Sequence, residues 1–284
     1  MRLISGFVVS FNRDHLIETC LRSIRFVDEL IVLDKSSTDQ TALIAGRYAD
    51  RVISVPWSPT VEETRAVALS YCQHDHIVFL DDDECFSPDA IRYLNHQLRT
   101  EEYDAYAIPC RHHILGRHDE SAYYWPERHV RAFRRGHVAF ASTVHGGIQV
   151  ASAARTAYPD PDHGICFHNI SHINASMWID KTNRYTSLRH RAGTVEGDAA
   201  NLLAEARRRF EGWLDRSGTA PSQYAQAVLL LRAVYDLVDI VKHWEQREGY
   251  DGDALFAQTC RELARGYDAL EACTEIPTSG IKPG

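Results

Sequence analysis

Residues 76–84 read His-Ile-Val-Phe-Leu-Asp-Asp-Asp-Glu, and the acids Asp81, Asp82, Asp83 and Glu84 are the densest chemistry in the chain. They follow directly on the apolar run 77–80, which has the length of a buried strand. Carboxylates stacked at a strand end repel one another, and burial adds a desolvation cost. A divalent cation with oxygen ligands relieves both. The strand tips of an open α/β sheet are also where such sheets bind ligands. One reading is therefore a metal site that holds an anion. The other is a solvated acidic turn ahead of a helix at Ser87.

The elements that would position these acids alternate. Residues 3–10 form a continuous apolar strand running into Ser10-Phe11-Asn12, and Ile17, Cys20, Leu21 and Ile24 then share one helical face. Residues 30–33 give a second strand ending at Asp34. Ser37 and Gln40 have capping-box spacing for a helix over 42–48. Residues 51–55 read as a third strand, and Thr60 with Glu63 repeats the box ahead of a helix over 61–71. Ser87-Pro88 opens a helix that runs to about residue 98. Such alternation predicts parallel strands with helices on both faces. Right-handed crossovers place the strand C-termini along one edge. Ser10, Asn12, Asp34 and the four acids then converge on one rim, which favours a site over a solvated turn. No G-x-G-x-x-G follows the first strand and no G-x-x-x-x-G-K-[ST] occurs, which disfavours a dinucleotide site and a P-loop.

The alternation stops after residues 105–109. Residues 110–175 are rich in His, Arg and aromatics, with strand-like pieces at 138–141 and 147–151. From about residue 175 the pattern is helical, notably over 202–214 and 223–244. In the latter Val228, Leu231, Val234, Leu237, Val238 and Val241 make a broad apolar face, for packing on the sheet or on a second subunit of a homodimer. The expected organisation is a sheet domain over 1–174, a helical region over 175–284, and a frayed tail at 275–284. A net charge of −8 argues against a nucleic-acid partner and a basic membrane-docking surface. No run approaches the ~20 apolar residues of a membrane span, and the N-terminus lacks the cleavage site of a secretory signal. Seven cysteines without a C-x-x-C pair read as buried thiols of a reducing cytosol. Nine of the fifteen histidines crowd residues 112–172, yet no closed zinc set is evident in their spacing. The expected location is cytoplasmic, with peripheral contact at the inner membrane face left open.

Several short segments form an ordered set over most of the chain. They are Val8-Val9-Ser10-Phe11-Asn12-Arg13, Val32-Leu33-Asp34-Lys35-Ser36-Ser37-Thr38-Asp39, Phe79-Leu80-Asp81-Asp82-Asp83-Glu84, Ala107-Ile108-Pro109, Leu115-Gly116-Arg117, Trp125-Pro126-Glu127 and Arg131-Ala132-Phe133-Arg134-Arg135. Val144-His145, His168, Asn183-Arg184-Tyr185 and Val241-Lys242-His243-Trp244-Glu245 complete it. This set resembles the family-two glycosyltransferases, which have the GT-A fold, and within them the branch containing lipopolysaccharide-core glucosyltransferases. The resemblance implies an α/β fold, a Rossmann-like, mostly parallel sheet flanked by helices, with a C-terminal helical extension. It implies a nucleotide-diphospho-sugar donor, a UDP-sugar first, and a Mg²⁺ or Mn²⁺ cofactor. It further implies a hydroxyl on a glycan or small-molecule acceptor, and inversion at the anomeric carbon.

Carried over by position, the resemblance implies that Asp34 meets the nucleobase, with Ser10 and Asn12 lining the same pocket. Arg65 lies near the nucleotide, Asp81 faces the ribose, and Asp82 belongs to the donor site. Asp83 ligates the cation, and His168 adds a later contact to the metal or diphosphate. Arg131 and Arg134 offset charge that builds on the leaving phosphate. Glu127 is the implied base for the acceptor's proton, with Trp125 stacking on a sugar. The plain structural reading of Glu127 is a salt bridge to Arg128 or Arg131. The branch commonly carries Glu after the Val-His pair, where this chain has Gly146; if that Glu is the branch's base, either His145 substitutes for it or the acceptor is unusual. Lys35 and Ala66 also depart from the pattern. A non-catalytic sugar-nucleotide or glycan-binding protein is one alternative. A nucleotidyltransferase is another, although Ser10-Phe11-Asn12-Arg13 is not the Gly-rich basic loop it would need.

Overall fold

In the computed structural model, which describes residues 2–59, 61–100, 103–140, 147–191, 201–249 and 251–274, the four N-terminal apolar runs are strands. They are β1 (Ile4–Ser10), β2 (Glu29–Asp34), β3 (Arg51–Ser54) and β4 (His76–Asp81). All pair in parallel, in the order β3-β2-β1-β4. Helices α1 (Ile17–Ile24), α2 (Thr41–Ala45) and α3 (Glu62–Tyr71) make the crossovers, and α4 (Pro88–Thr100) follows. Every residue of β1 and β2 is buried, because both faces are covered, and so both read as unbroken apolar runs. The two-residue period sorts them. Ile4, Val8, Leu30, Val32, Val78 and Leu80 pack with α1 and α4. Phe7, Val9, Ile31, Leu33, Ile77 and Phe79 pack on the side of α3. Gly6 has no alternative, since a Cβ there would lie 2.9 Å from Val27 Cγ2.

Capping differs from expectation. Ser37 does not cap α2; its Oγ accepts the Asn12 backbone N–H, and Asp39 accepts the N–H of Thr41 instead. Thr60 lies outside the described residues, and α3 has no side-chain cap. Ser87 does cap α4, its Oγ accepting the Ala90 N–H at 3.0 Å.

Beyond β4 the sheet becomes mixed. It gains β5 (Glu84–Phe86), β6 (Ala105–Ile114), β7 (Glu127–Arg134), β10 (Thr156–Ala157) and β11 (Phe167–His172), while β8 (Val138–Phe140) and β9 (Ile148–Val150) pair separately. The full order is β3-β2-β1-β4-β7-β6-β11-β5, with β10 beside β6. Strand β7 inserts antiparallel between β4 and β6, so its N-terminus joins the C-terminal edge of β4.

Helices α5 (Ala175–Arg191), α6 (Leu202–Arg216), α7 (Gln223–Arg247) and α8 (Gly252–Thr274) come last. Lys242 on α7 reaches Asn183 Oδ1, Thr186 Oγ1 and Ser187 Oγ on α5 at 2.7–2.9 Å. Trp213 Nε1 and Arg209 on α6 donate to Asp236 and Asp239 on α7, at 2.6 and 2.9 Å. Those two buried acids set the inward face of α7, together with Ala225, Val228, Leu229 and Ile240. Of the apolar face expected there, Val228 is buried, whereas Val234, Leu237 and Val241 are exposed. Ile114, Ala122 and Tyr124 pack with Trp178, Ala225 and Val228, which seats α5 and α7 against the rim end of β6. Among the described residues no helix is long and apolar enough to cross a membrane. Residues 275–284 lie outside the described residues.

Candidate functional site

The C-termini of β2, β1 and β4 lie side by side, with Ser10 opposite Asp34 and Val9 opposite Asp81. The chain turns sharply there, with positive φ at Asn12 and Ser36. Asn12 laces two strand ends together: its Oδ1 accepts the Thr38 N–H at 2.8 Å while its own N–H donates to Ser37 Oγ. Ser10 Oγ donates to Asp82 at 3.0 Å. Both residues thus hold the rim in shape. Asp34 differs. It is 4 % exposed, its Oδ2 accepts the Ser37 N–H at 3.1 Å, and its Oδ1 is buried with no hydrogen-bond partner among the described residues. A buried carboxylate oxygen left unpaired is costly, and a ligand N–H arriving there would satisfy it.

Three of the four acids are matched by guanidinium groups. Arg65 grips both oxygens of Asp81, with contacts of 2.5–3.2 Å. Burial would lift the Asp81 carboxyl, but Arg65 and Arg131 outweigh it and keep the pKa below the usual value. Asp82 accepts from Ser10, the Phe11 N–H and Arg13 Nε. Burial still pushes its pKa up against the pull of Arg13. Glu84 is buried and forms a two-pronged pair with Arg131 at 2.8 and 2.6 Å. Asp83 has no guanidinium within ion-pair distance among the described residues. Its neighbours are Lys181 Nζ at 4.0 Å and Asn169 Nδ2 at 3.5 Å. Burial, then the Asp82 charge, push its carboxyl up to about 7, and Lys181 offsets this only in part. Asp83 opens onto a cavity of about 270 Å³ whose wall carries Arg13, Lys181 and Arg184. A carboxylate short of positive charge beside a cationic pocket fits a hard divalent cation that bridges to a polyanion.

The remaining expected residues divide. Arg131 is not available to a ligand: it lies in the core between Phe79 and Phe167, 5.1 and 4.7 Å from their centroids, and is committed to Glu84. Arg65 is likewise committed to Asp81. Arg134 pairs with His76, at the far end of β4 from Asp81, so the structure does not bring it to the rim. His168 is one residue out of phase. Its neighbour Asn169 reaches Asp83 and Glu84, so the His168 side chain points to the other face of β11. There its Nδ1 lies 2.9 Å from His113 Nε2, and burial lowers its pKa to about 4. His145 lies outside the described residues.

Glu127 opens β7 on the rim. Its Oε2 is 3.0 Å from His112 Nε2 and 3.7 Å from His129 Nε2. Partial burial works against its charge, yet the two histidines hold its carboxyl well below the usual range. Its partners are thus these histidines and not Arg128 or Arg131. Glu127 also edges a second cavity, of about 450 Å³, walled by Tyr123, Trp125, Trp178 and Trp213 with Arg216 and Arg232. Aromatic faces beside guanidinium groups suit a sugar that carries anionic groups.

Two groups of residues escaped the sequence reading. Lys181 and Arg184 sit three apart on α5, the spacing that puts both on one helix face; Arg184 stood in the ordered set of segments, but its place beside the acids, and Lys181 altogether, were not visible. Cys110, His112 and His129 converge so that one donor atom from each lies within 4.8 Å of the others. Cys-x-His and Glu-x-His at strand period were visible, but their register was not.

Residues 5–158 match the family model described as Glycosyl transferase family 2. An uncharacterized glycosyltransferase of Rickettsia felis is 32 % identical over 151 residues, covering 51 % of this chain and 52 % of that protein. One from Rickettsia typhi is 29 % identical over 201 residues, covering 66 % of each. The lipopolysaccharide core biosynthesis glycosyltransferase LpsC of Rhizobium meliloti is 25 % identical over 154 residues, covering 51 % of this chain and 56 % of that one. The chain thus spans about half to two thirds of the length of these relatives. Among solved structures, glucosyl-3-phosphoglycerate synthase from Mycobacterium tuberculosis, with Mn²⁺, UDP and glucosyl-3-phosphoglycerate, matches at 31 % identity. That match covers 39 % of this chain and 44 % of that one with a TM-score of 0.34, too low for the overlay to bear on the fold. The family match takes in more than half the chain and ends beyond β10, so it contains the four acids and the parallel strands that present them, though not β11 or α5; the chain belongs to glycosyl transferase family 2.

Proposed function

We propose that this protein moves a sugar, with inversion, from a nucleotide-diphospho-sugar to a hydroxyl of a glycan or small-molecule acceptor, using Mg²⁺ or Mn²⁺. The observation that carries this reading is Asp83, a half-buried carboxylate without a guanidinium partner among the described residues, on the wall of a pocket that holds Arg13, Lys181 and Arg184. Bound there, a divalent cation supplies Lewis-acid stabilisation of the leaving diphosphate. Arg13, Lys181 and Arg184 add fixed positive charge around the phosphates, and Asn169 steadies Asp83 from β11. Asp34 takes the nucleobase through its unpaired Oδ1. The acceptor enters the aromatic cavity, and Glu127, with Oε2 held by His112, offers its other oxygen as base for the acceptor hydroxyl. The likeness to a lipopolysaccharide core biosynthesis glycosyltransferase supports a glycan of that kind as acceptor.

The orphan oxygen of Asp34 makes a selective prediction. It needs an N–H donor, which uracil and thymine present as a ring N3–H and guanine as a ring N1–H, whereas cytosine and adenine offer exocyclic amino groups in a different position. Thermal unfolding with UDP, GDP, dTDP, CMP and ADP, each with and without Mn²⁺, tests the donor site, because a ligand of the native state raises the midpoint. A Mn²⁺-dependent rise, largest with UDP, is the expected result. No shift with any nucleotide at millimolar concentration refutes the proposal. Asp34→Asn is expected to weaken UDP binding roughly tenfold or more, the worth of a hydrogen bond to a charged group, while Mn²⁺ binding at Asp83 persists.

A further inference from the structure

Strands β6 and β7 pair antiparallel with Cys110 opposite Glu127 and Ile108 opposite His129. Cys110 and His112 are two apart on one strand, and Glu127 and His129 two apart on the other. Directly opposed residues share a face, so all four side chains emerge on the same side of the ribbon. Thiol and imidazole donor atoms of Cys110, His112 and His129 lie within 4.8 Å of one another. Around a tetrahedral zinc with bonds of about 2.0–2.3 Å, donor atoms stand roughly 3.4–3.8 Å apart. Rotation of these side chains by about 1 Å would close the set.

Glu127 adds the feature that separates a metal site from a chance cluster. Its Oε2 faces Nε2 of both rings, at 3.0 and 3.7 Å. A carboxylate on the far nitrogen is how metal-binding histidines are usually oriented, and with Nε2 on Glu127 the metal would take Nδ1 of each ring. Cys110 is almost fully buried, whereas His112 and Glu127 edge the aromatic cavity. We infer that Cys110, His112 and His129 bind a zinc ion, separate from the cation at Asp83, with Glu127 as the positioning carboxylate. Thiolate with imidazole selects zinc over Mg²⁺ or Mn²⁺, which belong with the oxygen donors of the acidic rim. Coordination replaces the S–H proton of Cys110, which leaves to solvent. Three protein ligands would leave a fourth position for water. The metal thereby fixes both rings that hold Glu127.

The test is metal content and cobalt spectroscopy on the full chain. Wild-type protein purified without chelator is expected to carry about one zinc per chain. After exchange to Co²⁺ it should show tetrahedral d–d bands and a thiolate-to-cobalt charge-transfer band. Cys110→Ser should lose the charge-transfer band. Glu127→Gln should bind zinc some 10–100-fold more weakly, the usual cost of removing such an outer carboxylate. Asp83→Asn should keep its zinc, and His129→Gln should keep Mn²⁺-dependent nucleotide binding, which separates this centre from the donor site. Absence of the charge-transfer band in wild-type protein overturns the inference without recourse to any variant. So does equal zinc content in wild type and the Cys110→Ser/His112→Gln double variant.

Discussion

Asp83→Asn is expected to lower sugar transfer by about 10³-fold and to abolish the Mn²⁺ dependence of nucleotide binding. The same substitution should raise the stability of the metal-free protein. The folded chain holds the Asp83 proton up to a pKa of about 7, against an ordinary value of 3.8. Between those values the native state binds more protons than the unfolded chain. The group's contribution is therefore fully present below about pH 4 and is lost as pH rises through about 7. Metal-free wild type should weaken over that window, and Asp83→Asn should not. Added Mn²⁺ should stabilise wild type most above pH 7, where the carboxylate no longer has to shed a proton to bind it. Denaturant midpoints at pH 5 and pH 8, with and without Mn²⁺, check each part. Equal pH slopes for the two proteins would mean that the acidic rim carries no uncompensated charge at this position.

Arg131→Met is expected to cost roughly 3–5 kcal/mol, the penalty for leaving a buried charge unpaired. The Glu84 and Arg131 side chains are 3 % and 8 % exposed, and the guanidinium is flanked by two phenylalanine rings. Glu84 Oε2 also accepts the backbone N–H of Asp81, so the pair fixes the turn that presents Asp82 and Asp83. Removing both partners should be milder than removing Arg131 alone. Glu84→Leu with Arg131→Met should recover part of the loss, since an apolar replacement of a buried pair leaves no orphaned charge. Urea unfolding of the two single variants and the double variant gives the cycle. A double variant as unstable as the sum of the singles would show that the two side chains act independently.

The first half of the fold was legible because β1, β2 and β4 are buried on both faces and the helices on one. Continuous apolar runs and the face of Ile17, Cys20, Leu21 and Ile24 therefore carried real information, and Asp34 and the acids fell on the rim that the alternation required. What failed was phase and direction. Arg131 and Arg134 were grouped as neighbouring cations, but they are three apart on a strand. One lies under the rim, and the other sits beside His76 at the opposite edge. His168 and Asn169 differ by one residue, and only the pairing of β11 with β5 decides which of them meets Asp83. The long helix Gln223–Arg247 shows the same dependence on neighbours. Its acids Asp236 and Asp239 are drawn inward by Trp213 and Arg209 from another helix, which turns Val234, Leu237 and Val241 outward. No periodicity within one segment encodes a partner supplied by the next.

The aromatic cavity beside Glu127 has a practical optical consequence. The chain has five tryptophans. Three of them, Trp125, Trp178 and Trp213, stand in that one wall. Most of the molecule's intrinsic fluorophores are thus concentrated where the acceptor would bind. A molecule entering there displaces water from the indoles, while a nucleotide at Asp34 and Asp83 leaves them untouched. Trp57, exposed and edge-on to Phe11 beside the nucleotide rim, would answer to nucleotide, so the change seen after nucleotide saturation reports occupancy of the acceptor side. That makes a label-free titration feasible for screening candidate glycans before any turnover assay exists.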